Sequence, residues 1–106
     1  MLWKDKDGYH VLAKDQRGEI TGHHGYGILA HSQNGVIWKL DETPFAYSKT
    51  VKWGDGSFKK MGQLERVSVL LDEKGQLSHI YFATMDGKGG FNNSTRSWNI
   101  VLPINQ

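Results

Sequence analysis

The chain lacks the features that mark several common functional classes. Its 106 residues contain no cysteine, which excludes disulfides, a thiol nucleophile and a cysteine-ligated zinc site. No apolar run approaches the ~20 residues of a membrane span, and the first residues, MLWKDKDGYH, lack the apolar core of a signal peptide. These absences predict a soluble chain with no membrane partner, and they leave its cellular compartment unknown.

Clustered charge and clustered metal ligands are also missing from the sequence. The 13 basic and 11 acidic residues are mixed along the chain, and the longest basic run is the pair Lys59-Lys60. Because a nucleic-acid-binding surface needs clustered basic residues, we expect no nucleic-acid partner. A metal site needs three or more converging ligands, and the adjacent His23 and His24 would point to opposite sides of an extended chain. We therefore expect no metal and no other cofactor.

What is present is a pattern of short β-strands. Turn signals such as Asp7-Gly8, Asn34-Gly35 and Gly54-Asp55-Gly56 recur about every 8–12 residues, as in all-β domains. The runs between them are rich in Val, Ile, Trp, Tyr and Phe, the residues that strands prefer. The pattern predicts a single all-β domain, residues 1–106, with about eight or nine short antiparallel strands and no substantial helix.

Loops and tryptophans supply the first candidates for binding. Two polar, Gly-rich loops, 15–25 and 85–96, lie where binding residues usually occur on a β scaffold. Trp38 and Trp98 lie in apolar strands that include VIWKL (36–40) and SWNIVLPI, and we expect both in the core. Trp53, beside a Gly-Asp-Gly turn, is expected to be exposed, where it could stack on a sugar ring.

Five segments, taken in order, resemble one known group of proteins. They are MLWKDKDGYHVLAKD, GILAHSQNGVIW, AYSKTVKWGDGSF, LERVSVLLDEKGQLSHIYFAT and GKGGFNNSTRSWNIVLPI. Their order resembles successive segments of five-bladed β-propeller glycoside-hydrolase-like proteins, related to the family 43 glycosidases. The resemblance covers nearly the whole chain but only about two of five blades. It implies blade-like units at about 1–44 and 45–106, and a homo-oligomer, with a dimer as the first choice, that buries faces left by the missing blades.

The same resemblance implies a set of site residues. Glu65, in QLERVSVLL, matches the general acid of the propeller glycosidases, and His24-Gly25 matches a His-Gly that faces the channel. Arg66 would hold a carboxylate or a sugar hydroxyl by its planar fork, with Trp53 as a further substrate-binding residue. Glycoside hydrolysis needs a second carboxylate, for which the loops offer Asp15, Glu19 and Asp86. The alternatives are a Glu65 that pairs with a basic residue or lies in solvent, and an Arg66 that forms a salt bridge.

Three departures from the pattern define the functional hypotheses. No counterpart of the Glu-Asp-Pro that precedes the Leu-Trp pair is present, Val67 replaces a proline, and Asn34 replaces an aspartate. The first hypothesis is a carbohydrate-binding or glycoside-hydrolase-like propeller fragment; any activity would be glycoside hydrolysis, and we expect none from this chain on its own. The second is a structural or self-association module that keeps the blade scaffold without an active site.

Overall fold

Nine strands make up the regular structure of the described residues. The computed structural model of the chain describes residues 1–87 and 93–104, so residues 88–92 of the predicted 85–96 loop lie outside the described residues. The strands are β1 (Leu2–Asp5), β2 (Gly8–Asp15), β3 (Tyr26–Ser32), β4 (Lys39–Tyr47), β5 (Thr50–Lys52), β6 (Phe58–Lys60), β7 (Gln63–Leu71), β8 (Leu77–Met85) and β9 (Ser97–Pro103). All pairings are antiparallel, and the described residues contain no α-helix, so none of them forms a helix able to cross a bilayer. The all-β prediction with about eight or nine strands is confirmed.

The strands form two sheets joined by a hairpin. The first sheet has the order β1-β2-β3-β4, the hairpin is β5-β6, and the second sheet has the order β7-β8-β9. Within each sheet and within the hairpin, strands that are consecutive in sequence pair with each other, as expected when short turns connect antiparallel strands. The division into units at about 1–44 and 45–106 stays a prediction; the first sheet ends at Tyr47 and the second begins at Gln63.

The core lies where one face of each sheet meets the hairpin. Its buried members are Leu12 and Tyr47 from the first sheet, Val51 from the hairpin, Met61, and Leu64, Ile80 and Phe82 from the second sheet. The Tyr47 and Phe82 rings meet edge to face with centroids 4.7 Å apart, a favoured aromatic geometry. Trp98 packs against this cluster, as the sequence predicts.

The stretch from Ser32 to Trp38 differs from its prediction. The VIWKL strand begins only at Lys39, because Asn34 Oδ1 accepts the backbone N–H groups of Val36 and Ile37, both at 2.9 Å. These N–H groups are thereby removed from strand pairing, a competition typical of asparagine. The loop leaves Val36 79% exposed.

The expectation that Trp38 lies in the core is therefore wrong. Its indole N–H donates to the Gly35 carbonyl at 3.2 Å, and the residue is outside the core cluster and the residues packed against it. Strand β4 instead continues through Tyr47 with irregular pairing to β3, and this irregular stretch accommodates Pro44, which has no N–H for a ladder.

Candidate functional site

A bulge at the start of β7 positions the residue that the sequence singles out. The register with β8 shifts between Glu65 and Ser68, so two residues of β7 lie opposite one of β8. Arg66, within this bulge, has φ of 55°, a left-handed conformation that costs a non-glycine residue about 1–2 kcal/mol. Strain of this kind clusters at functional sites, which makes the bulge a candidate in its own right.

Glu65 has a basic partner from the first sheet. Lys14 Nζ donates to Glu65 Oε1 at 2.5 Å across 51 residues of sequence, and both side chains are about three-quarters buried. This is one of the two alternatives for Glu65 that the sequence leaves open. The Glu65 carboxyl group is thus occupied by a lysine, whereas a general acid in glycoside hydrolysis must donate its proton to the leaving group.

The candidate second carboxylates have other partners. Asp15 Oδ2 accepts the Ile20 and Thr21 N–H groups at 3.1 and 2.7 Å and the Thr21 hydroxyl at 2.8 Å, and the Thr21 N–H bond is the main reason why the pKa of Asp15 is lowered. Asp15 therefore closes the 15–25 loop, while Glu19 is exposed in it. No contact described in the structure joins either carboxylate to Glu65.

Asp86 has the same kind of role at the second loop. Its carboxylate accepts the Thr95 hydroxyl at 2.6 Å and the N–H groups of Thr95 and Arg96 at 2.9 and 3.1 Å. These bonds, led by the Thr95 hydroxyl, hold the pKa of Asp86 far below its usual range. Asp86 thus joins the two ends of the loop instead of facing Glu65 in any described contact.

Polar and basic side chains surround the Lys14–Glu65 pair. A β-carbon built on Gly25 would lie 2.8 Å from Lys49 Cε, 3.2 Å from Gln63 Oε1 and 3.3 Å from Lys14 Cε. These three side chains therefore converge next to Gly25. Gln63 Oε1 is buried and has no hydrogen-bond donor among the described residues. We call Lys14, Lys49, Gln63 and Glu65 the Glu65 cluster; the first sheet, the second sheet and the segment before β5 each contribute to it.

Tyr47 interacts electrostatically with Glu65, and its ring packs directly against Gly27 of β3. A β-carbon on Gly27 would come within 2.0 Å of Tyr47 Cε1, so only glycine allows the tyrosine ring to approach the strand this closely. Burial, and then the charge of Glu65, raise the pKa of Tyr47 to about 12. Tyr47 is therefore a neutral phenol at physiological pH.

The remaining residues implied by the resemblance lie in different surroundings. His24 is exposed, next to the buried Gly25, and the neighbouring His23 ring stacks on Tyr26 with centroids 4.5 Å apart. The Arg66 side chain is exposed, and no carboxylate among the described residues forms the salt bridge that was its alternative. Arg66 and His24 are thus sequence neighbours of Glu65 and Gly25, and no contact described in the structure joins either side chain to the Glu65 cluster.

Trp53 lies in a separate groove. The groove has a volume of about 450 Å³ and is lined by residues 50–54 and by residues 100–103 of β9; we call it the Trp53 groove. Trp53 is 38% exposed, while the other three tryptophans are partly buried. A concave surface of this size with an accessible aromatic ring suits a small ligand or one unit of a polymer.

Sequence reasoning missed one feature beside this groove. The β5-β6 hairpin and the residue before it carry four of the chain's lysines, Lys49, Lys52, Lys59 and Lys60. They are separated in sequence by the turn, so no run of basic residues reveals them. Predicting the pairing of KTVKW with SFKKM, and then counting charge across the pair, would have found the cluster.

Comparisons with protein-family models, with curated proteins and with solved structures found no match for this chain. The resemblance to propeller glycosidases therefore depends on the sequence motifs, and the Trp53 groove and the Glu65 cluster are the features from which function is inferred.

Proposed function

We propose that this chain binds a carbohydrate in the Trp53 groove and does not hydrolyse it on its own. The observation that carries the proposal is the exposed Trp53 ring on the wall of a groove of about 450 Å³. Aromatic rings give binding sites a large, rigid apolar surface, which fits the apolar face of a sugar ring. The family 43 resemblance supports the same class of ligand.

Two observations support binding without hydrolysis. The Glu65 carboxylate is paired with Lys14, and the hydrogen bonds of Asp15 and Asp86 are directed to their own loops. A glycosidase needs two carboxyl groups roughly 5–9.5 Å apart on either side of the scissile bond, one of them protonated. Glu65 instead acts as the ionic link between the two sheets.

A glycan array tests the binding proposal. The wild-type chain should retain a defined set of glycans, and Trp53→Ala should lose them because the stacking surface is removed. Val36→Ala is the control, since Val36 is an apolar residue that is 79% exposed and does not line the groove. A folded sample that binds no glycan would overturn the proposal, as would hydrolysis that disappears in Glu65→Gln.

A second candidate function, self-association, has its own observation in the outer face of the first sheet. Leu2, Val11, Ala30 and Leu40 lie directly opposite one another across all four strands, and Phe45 lies on the same face opposite Ile28. Leu2, Leu40 and Phe45 are exposed and Ala30 is buried, and none of these residues belongs to the core cluster or packs against it. The second sheet likewise leaves Leu70, Tyr81 and Val101 exposed on the face turned away from the core.

The total surface supports this second candidate. The accessible area is 7422 Å², whereas a compact monomer of 12.0 kDa is expected to have about 6000 Å². The excess is of the order needed for a specific interface, which buries about 800 Å² per partner. We propose a homo-oligomer, with a dimer as the simplest form, built on these outer faces.

Light scattering at micromolar concentration tests the oligomer. Phe45→Asp places a charge on the outer face and should shift the mass to that of a monomer, whereas Phe58→Asp, an equally drastic change on the hairpin, should not. A wild-type chain that is a stable monomer would exclude self-association as a function and leave the carbohydrate proposal intact.

A further inference from the structure

The β5-β6 hairpin and the residue before it carry an excess of positive charge. Between residues 49 and 60 the only acidic residue is Asp55, and its carboxylate accepts the N–H and the hydroxyl of Ser57 at 2.8 and 2.6 Å within the turn. Among the described residues, no carboxylate forms an ion pair with the hairpin's four lysines, Lys49, Lys52, Lys59 and Lys60. The hairpin therefore has a local charge of +3 on a chain whose net charge is +2.

The strand register brings two of these lysines onto one face. Lys52 lies opposite Phe58, and Thr50 lies opposite Lys60. Lys52 and Lys60 are therefore diagonal neighbours on one face, and their positions on the two strands are roughly 7–8 Å apart. Phe58 stands on the same face and is exposed. The outward face of the hairpin is thus an aromatic ring flanked by two ammonium groups.

Lys49 links this face to the Glu65 cluster. Burial is the main reason why its pKa is lowered, and repulsion by Lys14 and Lys60 lowers it further, with partial relief from Glu65. Lys14 of the first sheet and Lys60 of the hairpin therefore both repel the ammonium group of Lys49. An anion that binds there would relieve repulsion that the fold itself leaves in place.

The lysine-bearing face of the hairpin adjoins the Trp53 groove, since Lys52 and Trp53 both line this groove. A polymer seated on Trp53 would pass the lysines of the outward face. We propose that the hairpin and the groove together bind an acidic polysaccharide, a glycan whose sugar units carry carboxylate or sulfate groups. This inference rests on the proposed carbohydrate function and specifies the class of glycan.

The amount of charge favours an acidic glycan over a nucleic acid. Tight nucleic-acid binding commonly uses about six to ten phosphate contacts, whereas the hairpin offers four lysines and no arginine. A polysaccharide with widely spaced charges needs fewer contacts and gains the rest of its affinity from ring stacking in the groove.

Affinity measurements on two matched ligand pairs test the proposal. One pair is polygalacturonate with its fully methyl-esterified form, and the other is dextran sulfate with dextran; a single-stranded oligonucleotide is the third probe. The double variant Lys52→Gln/Lys60→Gln should weaken binding of the charged member of a pair about tenfold at low salt. Lys74→Gln, an exposed lysine on the β7–β8 turn, should leave it within about twofold. Trp53→Ala should weaken binding of all the glycans.

Each outcome bears on the proposal in a different way. Preference for either charged member, dependent on Lys52 and Lys60 and reduced by high salt, supports it and identifies carboxylate or sulfate as the group bound. Equal binding of charged and neutral members would overturn it and leave the carbohydrate function standing. No glycan binding at all would overturn both, and tighter binding of the oligonucleotide would replace the glycan with nucleic acid.

Discussion

Arg66 offers the sharpest test of how the bulge in β7 is built. Its φ of 55° costs a non-glycine residue about 1–2 kcal/mol, and glycine at this position would not bear that cost. Glycine loses about 0.5–1 kcal/mol more than other residues through the greater freedom of the unfolded chain. The difference predicts that Arg66→Gly stabilises the fold by roughly 0.5–1 kcal/mol, which raises Tm by about 2–8 °C for a domain of this size.

The side chain itself should contribute little to this change. Arg66 is exposed and forms no ion pair with a described carboxylate, so its removal is expected to alter stability by less than about 0.5 kcal/mol. Arg66→Ala keeps the β-carbon and therefore the strain, and serves as the matched control. It should unfold within about 3 °C of the wild type.

Thermal and urea unfolding, followed by circular dichroism at one fixed protein concentration, measure these differences. The protein concentration must be the same for all variants, because self-association would raise the apparent stability at higher concentration. An equal gain in Arg66→Ala and Arg66→Gly would refute the reasoning, since the effect would then come from the guanidinium. A loss of stability in Arg66→Gly would refute it as well.

Three further predictions concern packing and charge. Gly27→Ala should destabilise the fold by about 1–3 kcal/mol in urea unfolding, because the new β-carbon would overlap the Tyr47 ring; wild-type stability would show that the ring moves freely. Glu65→Gln should lower the free energy of unfolding by about 1–3 kcal/mol, because the largely buried Lys14 loses its partner. Adding Lys14→Met to this variant should restore part of the lost stability. If the losses of the two single variants instead add up in the double variant, the ion pair is contradicted. The pKa of Asp86 is lower in the folded state than in the unfolded state. The Asp86 carboxylate therefore contributes fully to the free energy of unfolding above the unfolded-state pKa near 4, and this contribution is lost as the pH falls towards the folded-state pKa. Stability should therefore fall more steeply with acidification in the wild type than in Asp86→Asn, and parallel pH profiles would exclude this role.

Much of the local structure could be predicted from short stretches of sequence. Alternating β-branched and aromatic residues between Asp-Gly, Asn-Gly and Gly-Asp-Gly turns produced strands close to their predicted places, because strand preference and turn geometry act over a few residues. The exception is also local. Ser32 and Asn34 accept backbone N–H groups across residues 34–37, and this competition moved the start of β4 to Lys39.

The amino-acid sequence by itself determined the fold class, the antiparallel order of the strands and the exposure of Trp53 beside its turn. Only the tertiary structure decided which charges meet. Lys14 reaches Glu65 across 51 residues, and the β5-β6 register brings Lys52 and Lys60 to one face. The physical reason is that strand formation depends on neighbours in the chain, whereas ion pairs, grooves and charge clusters depend on the register and packing of strands that are distant in sequence.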